Sequence, residues 1–78
     1  MRIFKHKRFS QWAKHEGVLD DALKNAVDEV AQGLFDADLG GGLYKKRVAR
    51  SGQGKRGAYR TLLAFRQEKH CIFVFGFA

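Results

Sequence analysis

The clearest pattern in the sequence is an apolar stripe with helical spacing between residues 20 and 34. Its members recur at intervals of three and four, which places them on one side of a helix. They are Ala22, Leu23, Ala26, Val27, Val30, Ala31 and Leu34. Asp20 is expected to cap the start of this helix, and Gly33 is expected to stop it in a left-handed conformation. The pattern therefore predicts a helix from about residue 20 to residue 33.

Two shorter elements are predicted before this helix. Residues 2–5 alternate weakly between polar and apolar side chains, as a strand does. Phe9, Trp12 and Ala13 then follow one another at helical spacing, and Gly17 is a suitable end point. The sequence thus begins with a predicted strand and a short predicted helix.

The periodicity changes after three consecutive glycines at residues 40–42, which end a connection that begins at residue 35. Three segments rich in β-branched, aromatic and aliphatic side chains follow, and such segments favour strands. They span residues 43–49, 58–65 and 72–77. A glycine-rich hairpin loop at residues 51–57 and a polar turn at residues 67–70 are predicted between them.

The predicted order is strand, helix, helix, and then three strands. Sequential strands with short loops favour an antiparallel sheet, so the sequence predicts an α+β fold with two N-terminal helices packed on one sheet face. The 78 residues suffice for a single domain, residues 1–78. That length excludes a two-domain enzyme, a TIM barrel and a complete Rossmann domain.

Composition narrows the class of protein further. A hydrophobic content of 45% is typical of a globular chain. The single cysteine, Cys71, can form neither an internal disulfide nor a cysteine-based zinc site, and we expect it to be a small core residue. The N-terminus is charged and lacks the apolar run of a secretory signal, and the apolar run at residues 71–78 is shorter than a membrane span. We therefore expect a soluble cytoplasmic protein that does not associate with membranes.

The net charge of +7 is unevenly distributed along the chain. Residues 1–15 contain five basic residues and no acid, residues 16–41 contain seven acids and one lysine, and residues 42–78 contain nine basic residues and one acid. Such basic segments favour a polyanionic partner, because binding to phosphates releases counterions. A soluble surface with asymmetric charge is the alternative.

The basic residues are densest in the predicted strand–loop–strand segment. They are Lys45, Lys46, Arg47, Arg50, Lys55, Arg56, Arg60 and Arg66. Because side chains alternate across a strand, Lys45 and Arg47 are expected on one face of the sheet and Lys46 on the other. Arg60, on the next strand, is within cross-strand reach of the first face if the pairing register allows it. The pattern predicts a cationic sheet face that binds nucleic acid, or a solvated face whose charge prevents edge aggregation.

The loop between the first two of these strands contains G-x-G-x-x-G at residues 52–57. A dinucleotide site is excluded, because this motif must precede a helix and the segment after it is predicted to be a strand. A P-loop is excluded as well, because Arg56 follows Lys55 where a serine or threonine is required. We expect a mobile basic loop in which Gly54 and Gly57 let the backbone approach a phosphate.

Other side chains that are able to take part in binding or catalysis each have two interpretations. Tyr44 and Tyr59 are equally consistent with stacking on bases and with core packing. His70 is a reserve candidate for an acid or base, although a half-buried structural histidine is the simpler reading. Asp36 and Asp38 can be imagined as metal ligands, but hydrogen bonds within a turn are the stronger expectation. The sequence therefore predicts no metal site.

Several segments of the chain match the pattern of a known family. They are the stretch at residues 36–43, the cations Lys45 and Arg47 with the residues up to 49, the basic glycine-rich segment at residues 52–60, and the ending at residues 73–78. On these residues the sequence resembles the RelE-like toxins of the HigB branch, from bacterial type II toxin–antitoxin systems. The resemblance covers essentially the whole chain, and residues 41–60 are its most specific part.

The resemblance implies an mRNA interferase, an endoribonuclease that cleaves mRNA in the ribosomal A site without a metal ion or cofactor and so inhibits translation. The ribose 2′-hydroxyl attacks the adjacent phosphate, which leaves a cyclic phosphate and a 5′-hydroxyl. Cationic side chains would stabilise the charge on the phosphorane. The implied catalytic residues are Lys45, Arg47, Arg56 and Arg60. The candidate RNA-binding residues are Lys46, Arg50, Gly54, Lys55, Gly57 and Tyr59.

The resemblance also implies a cognate antitoxin, expected to be a helix-turn-helix protein. Members of the family typically continue past the last strand with a Lys-Asn-Glu-type segment and a C-terminal helix, whereas this sequence stops at Ala78. The expectation is a shortened toxin domain without that helix. Two alternatives to catalysis stay open: a non-catalytic module that binds RNA or DNA, and an inactive toxin that mainly binds its antitoxin.

Overall fold

The chain folds as a mixed β-sheet with two α-helices, as seen in a computed structural model that describes residues 1–49, 58–66 and 69–77. The elements are β1 (Arg2–Lys5), α1 (Lys7–Glu16), α2 (Asp20–Ala31), β2 (Ala37–Gly40), β3 (Leu43–Ala49), β4 (Ala58–Arg66) and β5 (His70–Phe77). The strand order is β1-β5-β4-β3-β2. The predicted α+β class is therefore confirmed for the described residues.

The short helix α1 forms where the spacing predicts it. The imidazole Nδ1 of His6 accepts a backbone N–H two residues on, at 3.2 Å, at the start of the helix. Gly17 ends the helix with a φ of 75°, a left-handed conformation that glycine adopts without strain. Phe9 and Ala13 form the buried side of α1.

The longer helix α2 has a different start from the predicted one. Leu19 is the N-cap and makes no side-chain capping bond, so the prediction of Asp20 as the cap is wrong. Asp20 is instead the first helical residue, and its carboxylate binds Lys5 Nζ at 2.8 Å. Gln32 is the C-cap, and Gly33 follows with a φ of 91°. The predicted stop at a left-handed glycine is thus confirmed.

The hydrophobic core lies between the helices and one face of the sheet. Four of its members, Phe9, Val27, Leu63 and Phe73, are less than 2% exposed. The rings of Phe9 and Phe73 stack with centroids 5.0 Å apart, which joins α1 to β5. Since the helices bury the inward-facing residues of β3, β4 and β5, the opposite face of these strands carries no helix in the described part of the chain.

The sheet differs from the predicted antiparallel sheet in two respects. β1 pairs with β5 in parallel, with Ile3 opposite Cys71, whereas the other described pairs of strands are antiparallel. Residues 37–40, predicted as part of a connection, form the edge strand β2 against β3. Four residues that include Asp38 and end in Gly40 carry no strand periodicity, which is why the pattern missed them.

The predicted strand at residues 43–49 matches β3, while β4 extends one residue further than predicted, to Arg66. β5 begins at His70, two residues before the predicted start. The predicted hairpin loop at residues 51–57 and residues 67–68 of the predicted polar turn lie outside the described residues.

An irregularity in β5 changes which face its last side chains occupy. Leu63 pairs with Phe73, but the neighbouring Leu62 pairs with Phe75, so Val74 is an extra residue in β5. A bulge of this kind reverses the alternation of the residues that follow it. Phe73 is therefore fully buried under the helices, whereas Phe75 is 55% exposed on the opposite face.

Both described helices are short, with 10 and 12 residues. In the part of the chain that the structure describes, no helix is long and apolar enough to cross a membrane.

Candidate nucleic-acid interface

Three basic side chains come together on the helix-free face of the sheet. Lys45 and Arg47 alternate along β3, and Arg47 is directly opposite Arg60 of β4. With Asp36 and Ala37 they line an open depression of about 340 Å³. We call these five residues the cationic depression. The sequence predicted that Lys45, Arg47 and Arg60 would share a surface, and the structure brings them together.

One carboxylate organises the cationic depression. Asp36 Oδ2 accepts the backbone N–H of Arg47 at 2.7 Å, and its Oδ1 is 3.6 Å from Arg47 Nε. The backbone N–H of Asp36 donates to the carbonyl oxygen of Lys45 at 2.8 Å. The side chain of Arg47 is still 68% exposed, so its guanidinium is anchored on one side and open to a ligand on the other.

The charge of the cationic depression favours an anion. Its lining residues are three cations and one carboxylate, which leaves an excess of two positive charges. Adjacent strands are roughly 5 Å apart, so Arg47 and Arg60 can reach oxygens of the same phosphate. Arginine suits this role because its planar guanidinium forms paired hydrogen bonds with phosphate oxygens. The arrangement can hold a phosphate and neutralise charge that develops on it.

Lys46, the lysine between Lys45 and Arg47, points to the other side of the sheet. Its Nζ is 2.8 Å from Glu29 Oε1 on α2, and the side chain is only 13% exposed. The alternation predicted for these lysines is therefore observed. The structure places the Lys46 side chain against α2, on the helix side of the sheet and away from the cationic depression.

The two tyrosines face the core rather than the cationic depression. Tyr59 is 5% exposed, its hydroxyl donates to oxygens of Glu16 at 3.2 Å, and Trp12 meets its ring edge-on at 5.2 Å. The Tyr44 ring packs between Phe35 and Phe65, with centroids 4.8 and 5.8 Å away. Of the two interpretations offered by the sequence, core packing is the one that the geometry shows.

Phe75 and Phe77 are two aromatic side chains that share the helix-free face with these cations. Phe77 is opposite Arg60 in the register of β4 and β5, and the Arg60 guanidinium carbon is 6.0 Å from its ring centroid. Strict alternation would place Phe73, Phe75 and Phe77 on one face of the strand. The run from Cys71 onward is apolar on both faces, so nothing in the sequence marks the extra residue at position 74.

The remaining candidate groups lie away from the cationic depression. Cys71 is fully buried, and desolvation raises the pKa of its thiol from 9.0 to about 12, which keeps it protonated and poorly nucleophilic. His70 pairs with Arg66, six residues along β4 from Arg60 and so roughly 20 Å away. Its ring packs against Phe4 at 5.6 Å.

The acidic residues do not form a metal site in the described part of the chain. No group of three histidine, cysteine or acidic residues is placed to hold an ion there. Asp38 Oδ1 accepts the backbone N–H of Gly40 at 2.9 Å, which is the turn hydrogen bond that the sequence favours. Asp36 is bonded to Arg47 instead, a contact between residues eleven positions apart that no local motif announces.

Five of the predicted site residues, Arg50, Gly54, Lys55, Arg56 and Gly57, lie outside the described residues. The strands on either side of them end together, since Ala49 pairs with Ala58. That pair is two residues beyond Arg47 and Arg60 along β3 and β4.

Comparison with models of known protein families identifies a match over the whole sequence. A family model described as "RelE toxin of RelE / RelB toxin-antitoxin system" matches residues 1–78, which is the whole sequence. None of the curated proteins matches it. The match extends through both helices and all described strands, including β3 and β4, which carry Lys45, Arg47 and Arg60.

Proposed function

The chain belongs to the RelE toxin family, and from that membership we propose that it cleaves mRNA bound in the ribosome, which arrests translation. The observation that carries this proposal is the meeting of Lys45, Arg47 and Arg60 on the helix-free face of the sheet. A phosphate held between two guanidinium groups is the substrate group that this arrangement fits best. The assignment to the HigB branch remains a prediction from the sequence.

In the proposed reaction the cationic depression holds the scissile phosphate. The 2′-oxygen forms a bond to phosphorus, the bond from phosphorus to the 5′-oxygen breaks, and the products are a 2′,3′-cyclic phosphate and a 5′-hydroxyl. The proton leaves the 2′-hydroxyl and another is delivered to the 5′-oxygen. Arg47 and Arg60 stabilise the extra negative charge of the phosphorane, because fixed cations bind it more strongly than the ground state.

Proton transfer falls to Lys45 among the three cations. A guanidinium keeps its proton in proteins, whereas a lysine amine can release and accept one. The other major contribution is orientation, which the ribosome supplies by fixing the mRNA against the toxin. In this proposal the RNA supplies the nucleophile, the ribosome supplies the orientation, and the domain needs to supply only cations and a proton-transfer group.

Mapping mRNA ends in a reconstituted translation reaction tests this proposal. Wild-type protein should create new 5′-hydroxyl ends only when ribosomes are present. Arg47→Ala and Arg60→Ala should each reduce the cleavage rate by roughly 100-fold, as expected when one charge-stabilising group is lost. Lys24→Ala, which removes an exposed lysine of α2, is the matched control and should cleave normally. Unchanged cleavage by both arginine variants would contradict the proposal.

The second candidate function is RNA binding without cleavage. It is favoured by the exposure of the cationic depression, where the Arg47 side chain is 68% exposed and open to solvent. In the same reaction, this function would leave the mRNA intact. Salt-sensitive RNA binding that is lost in the double variant Lys45→Glu, Arg47→Glu would identify it.

The partner that we propose is an antitoxin of the helix-turn-helix type, with an acidic segment that covers the cationic depression. Toxins of the RelE family pair with antitoxins, and an acidic segment would complement the excess positive charge. Adding the antitoxin should raise the melting temperature of the toxin by mass action. The same Lys45→Glu, Arg47→Glu variant should lose most of this increase, and an unchanged increase would place the contact elsewhere.

A further inference from the structure

We propose that Phe75 and Phe77 form a stacking platform for nucleobases beside the cationic depression, so that this face binds single-stranded RNA through bases as well as phosphates. The inference rests on the proposed function, because it concerns how the same surface holds its substrate. It adds a binding subsite on β5, a strand that contributes no residue to the lining of the cationic depression.

The bulge at Val74 is what places these rings on the cationic face. Without the extra residue, Phe75 and Phe77 would follow Phe73 under the helices. The inward position is taken by Gly76, where any side chain would overlap the ring of Trp12. Phe75 and Phe77 therefore lie on the opposite face of the sheet and not in the core. Bulges commonly redirect side chains next to functional sites.

The register aligns the two rings with the cations in two rows across the sheet. One row is Phe77, Arg60 and Arg47, and the next is Phe75, Leu62 and Lys45. With strands roughly 5 Å apart, each ring is about 10 Å from the β3 cation of its row. A phosphate on the cations and a base on the rings can therefore belong to adjoining parts of one strand.

The planar groups of this platform form a continuous series. The Phe75 and Phe77 rings have centroids 5.6 Å apart, and the Arg60 guanidinium carbon lies 6.0 Å from the Phe77 ring centroid. Phe75 is 55% exposed, so its ring offers the open surface, while Phe77 supports it from the side of Arg60. Guanidinium and phenyl groups both stack on bases.

The chemistry of the face selects single-stranded nucleic acid as the ligand. Unpaired bases expose the π-faces that aromatic side chains stack on, whereas bases in a duplex are already stacked on one another. The excess positive charge of the cationic depression adds attraction for the backbone. An apolar protein segment would use the rings but leave the cations without a partner, which is why RNA is the occupant we propose.

Titration of a short single-stranded RNA that carries one fluorescent 2-aminopurine base tests the platform without ribosomes. Stacking on the wild-type protein should quench the base in a saturable manner. Phe75→Leu keeps apolar bulk but removes the π-surface, and it should weaken binding about 10-fold and abolish the quenching. Phe35→Leu is the matched control, because Phe35 is 37% exposed and packs against the helix-side residue Tyr44; it should bind like wild type.

A second measurement needs no variant and so does not depend on folding. Replacing one nucleotide at a time by an abasic site should weaken binding to wild-type protein at one or two positions of the RNA. Equal binding by all abasic RNAs, or full affinity of Phe75→Leu, would overturn the platform. If Phe75→Leu loses antitoxin binding but keeps RNA binding, the rings are a protein-docking surface and the proposal is wrong.

These outcomes are separable from those of the proposed function. Loss of stacking with intact ribosome-dependent cleavage would reject the platform and leave the nuclease standing. Conversely, position-specific quenching by a protein that never cleaves mRNA would support the platform and reject the nuclease.

Discussion

The carboxylate of Asp36 accepts the backbone N–H of Arg47 at 2.7 Å, and so a side chain continues the pairing between β3 and the chain leading into β2. Next to it, the backbone N–H of Asp36 donates an ordinary backbone hydrogen bond of 2.8 Å to the carbonyl oxygen of Lys45. Because the same carboxylate is 3.6 Å from Arg47 Nε, it fixes the strand and the cation together.

Two substitutions at Asp36 separate these roles. Asp36→Asn keeps an oxygen acceptor for the Arg47 N–H but removes the charge, whereas Asp36→Ala removes both. We expect Asp36→Ala to lower the free energy of unfolding by about 1–2 kcal/mol, and Asp36→Asn to cost about half as much. Both should bind RNA more tightly than wild type, since the net positive charge of the cationic depression rises.

Urea unfolding and RNA titration at two salt concentrations measure these effects. Asp28→Asn, at an exposed acid of α2, is the charge-matched control and should change neither the unfolding midpoint nor the affinity appreciably. Equal destabilisation by Asn and Ala at position 36 would show that the charge, rather than the acceptor oxygen, holds the strand.

Gly76→Ala should destabilise the fold by about 1–3 kcal/mol, because the added methyl group overlaps the Trp12 ring in a packed region. Trp12 is the single tryptophan of the sequence, so its emission reports on this site directly. A lower denaturant midpoint together with a shifted emission maximum is the expected result. An unchanged midpoint would mean that the ring can move aside freely.

Gly41→Ala and Gly42→Ala form a matched pair that distinguishes backbone strain from steric overlap. Both glycines have positive φ, 63° and 83°, so each substitution is expected to cost about 1 kcal/mol from strain alone. At Gly42 the new Cβ would also lie 2.7 Å from the Phe65 carbonyl oxygen, while nothing is within 4 Å at Gly41. The Gly42 variant should therefore lose about 3 kcal/mol in chemical denaturation. Equal losses would argue against the close approach of β4.

Cys71 should make stability fall in alkaline solution. Its pKa is raised from 9.0 to about 12 by burial, so above pH 9 the unfolded chain releases the thiol proton while the folded chain keeps it. The folded state then binds more protons, and the free energy of unfolding decreases as pH rises from 9 to 12, by at most about 1.4 kcal/mol per pH unit. Cys71→Ala should lack this component, which the difference between the two stability curves measures. If the stability curves of wild type and Cys71→Ala stay parallel above pH 9, the predicted contribution of Cys71 is absent.

Elements that depend on local periodicity were predictable from the sequence. The apolar stripe of α2 and the strand character of β3 and β4 need only neighbouring residues, and their predicted bounds differ from the structure by at most two residues. The alternation of Lys45, Lys46 and Arg47 was predictable for the same reason. The grouping of Lys45, Arg47 and Arg60 required only a hairpin with direct pairing, which the short connection favours.

The features that were missed depend on contacts between distant residues or on single irregular positions. The parallel pairing of β1 with β5 joins segments nearly seventy residues apart in the chain, and no local pattern encodes it. The extra residue Val74 lies in a uniformly apolar strand, so the exposure of Phe75 left no trace in the sequence. Tyr59 was ambiguous because its partners, Glu16 and Trp12, belong to α1.

The position of β5 between β1 and β4 has a consequence for folding during synthesis. Because synthesis runs from the N-terminus, β1 leaves the ribosome long before the strand that pairs with it, and residues 70–77 must emerge before the core around Phe73 can close. Non-local pairing of this kind delays folding until both partner strands are available. The sheet that carries Lys45, Arg47 and Arg60 is therefore backed by a complete core only once residues 70–77 have left the ribosome.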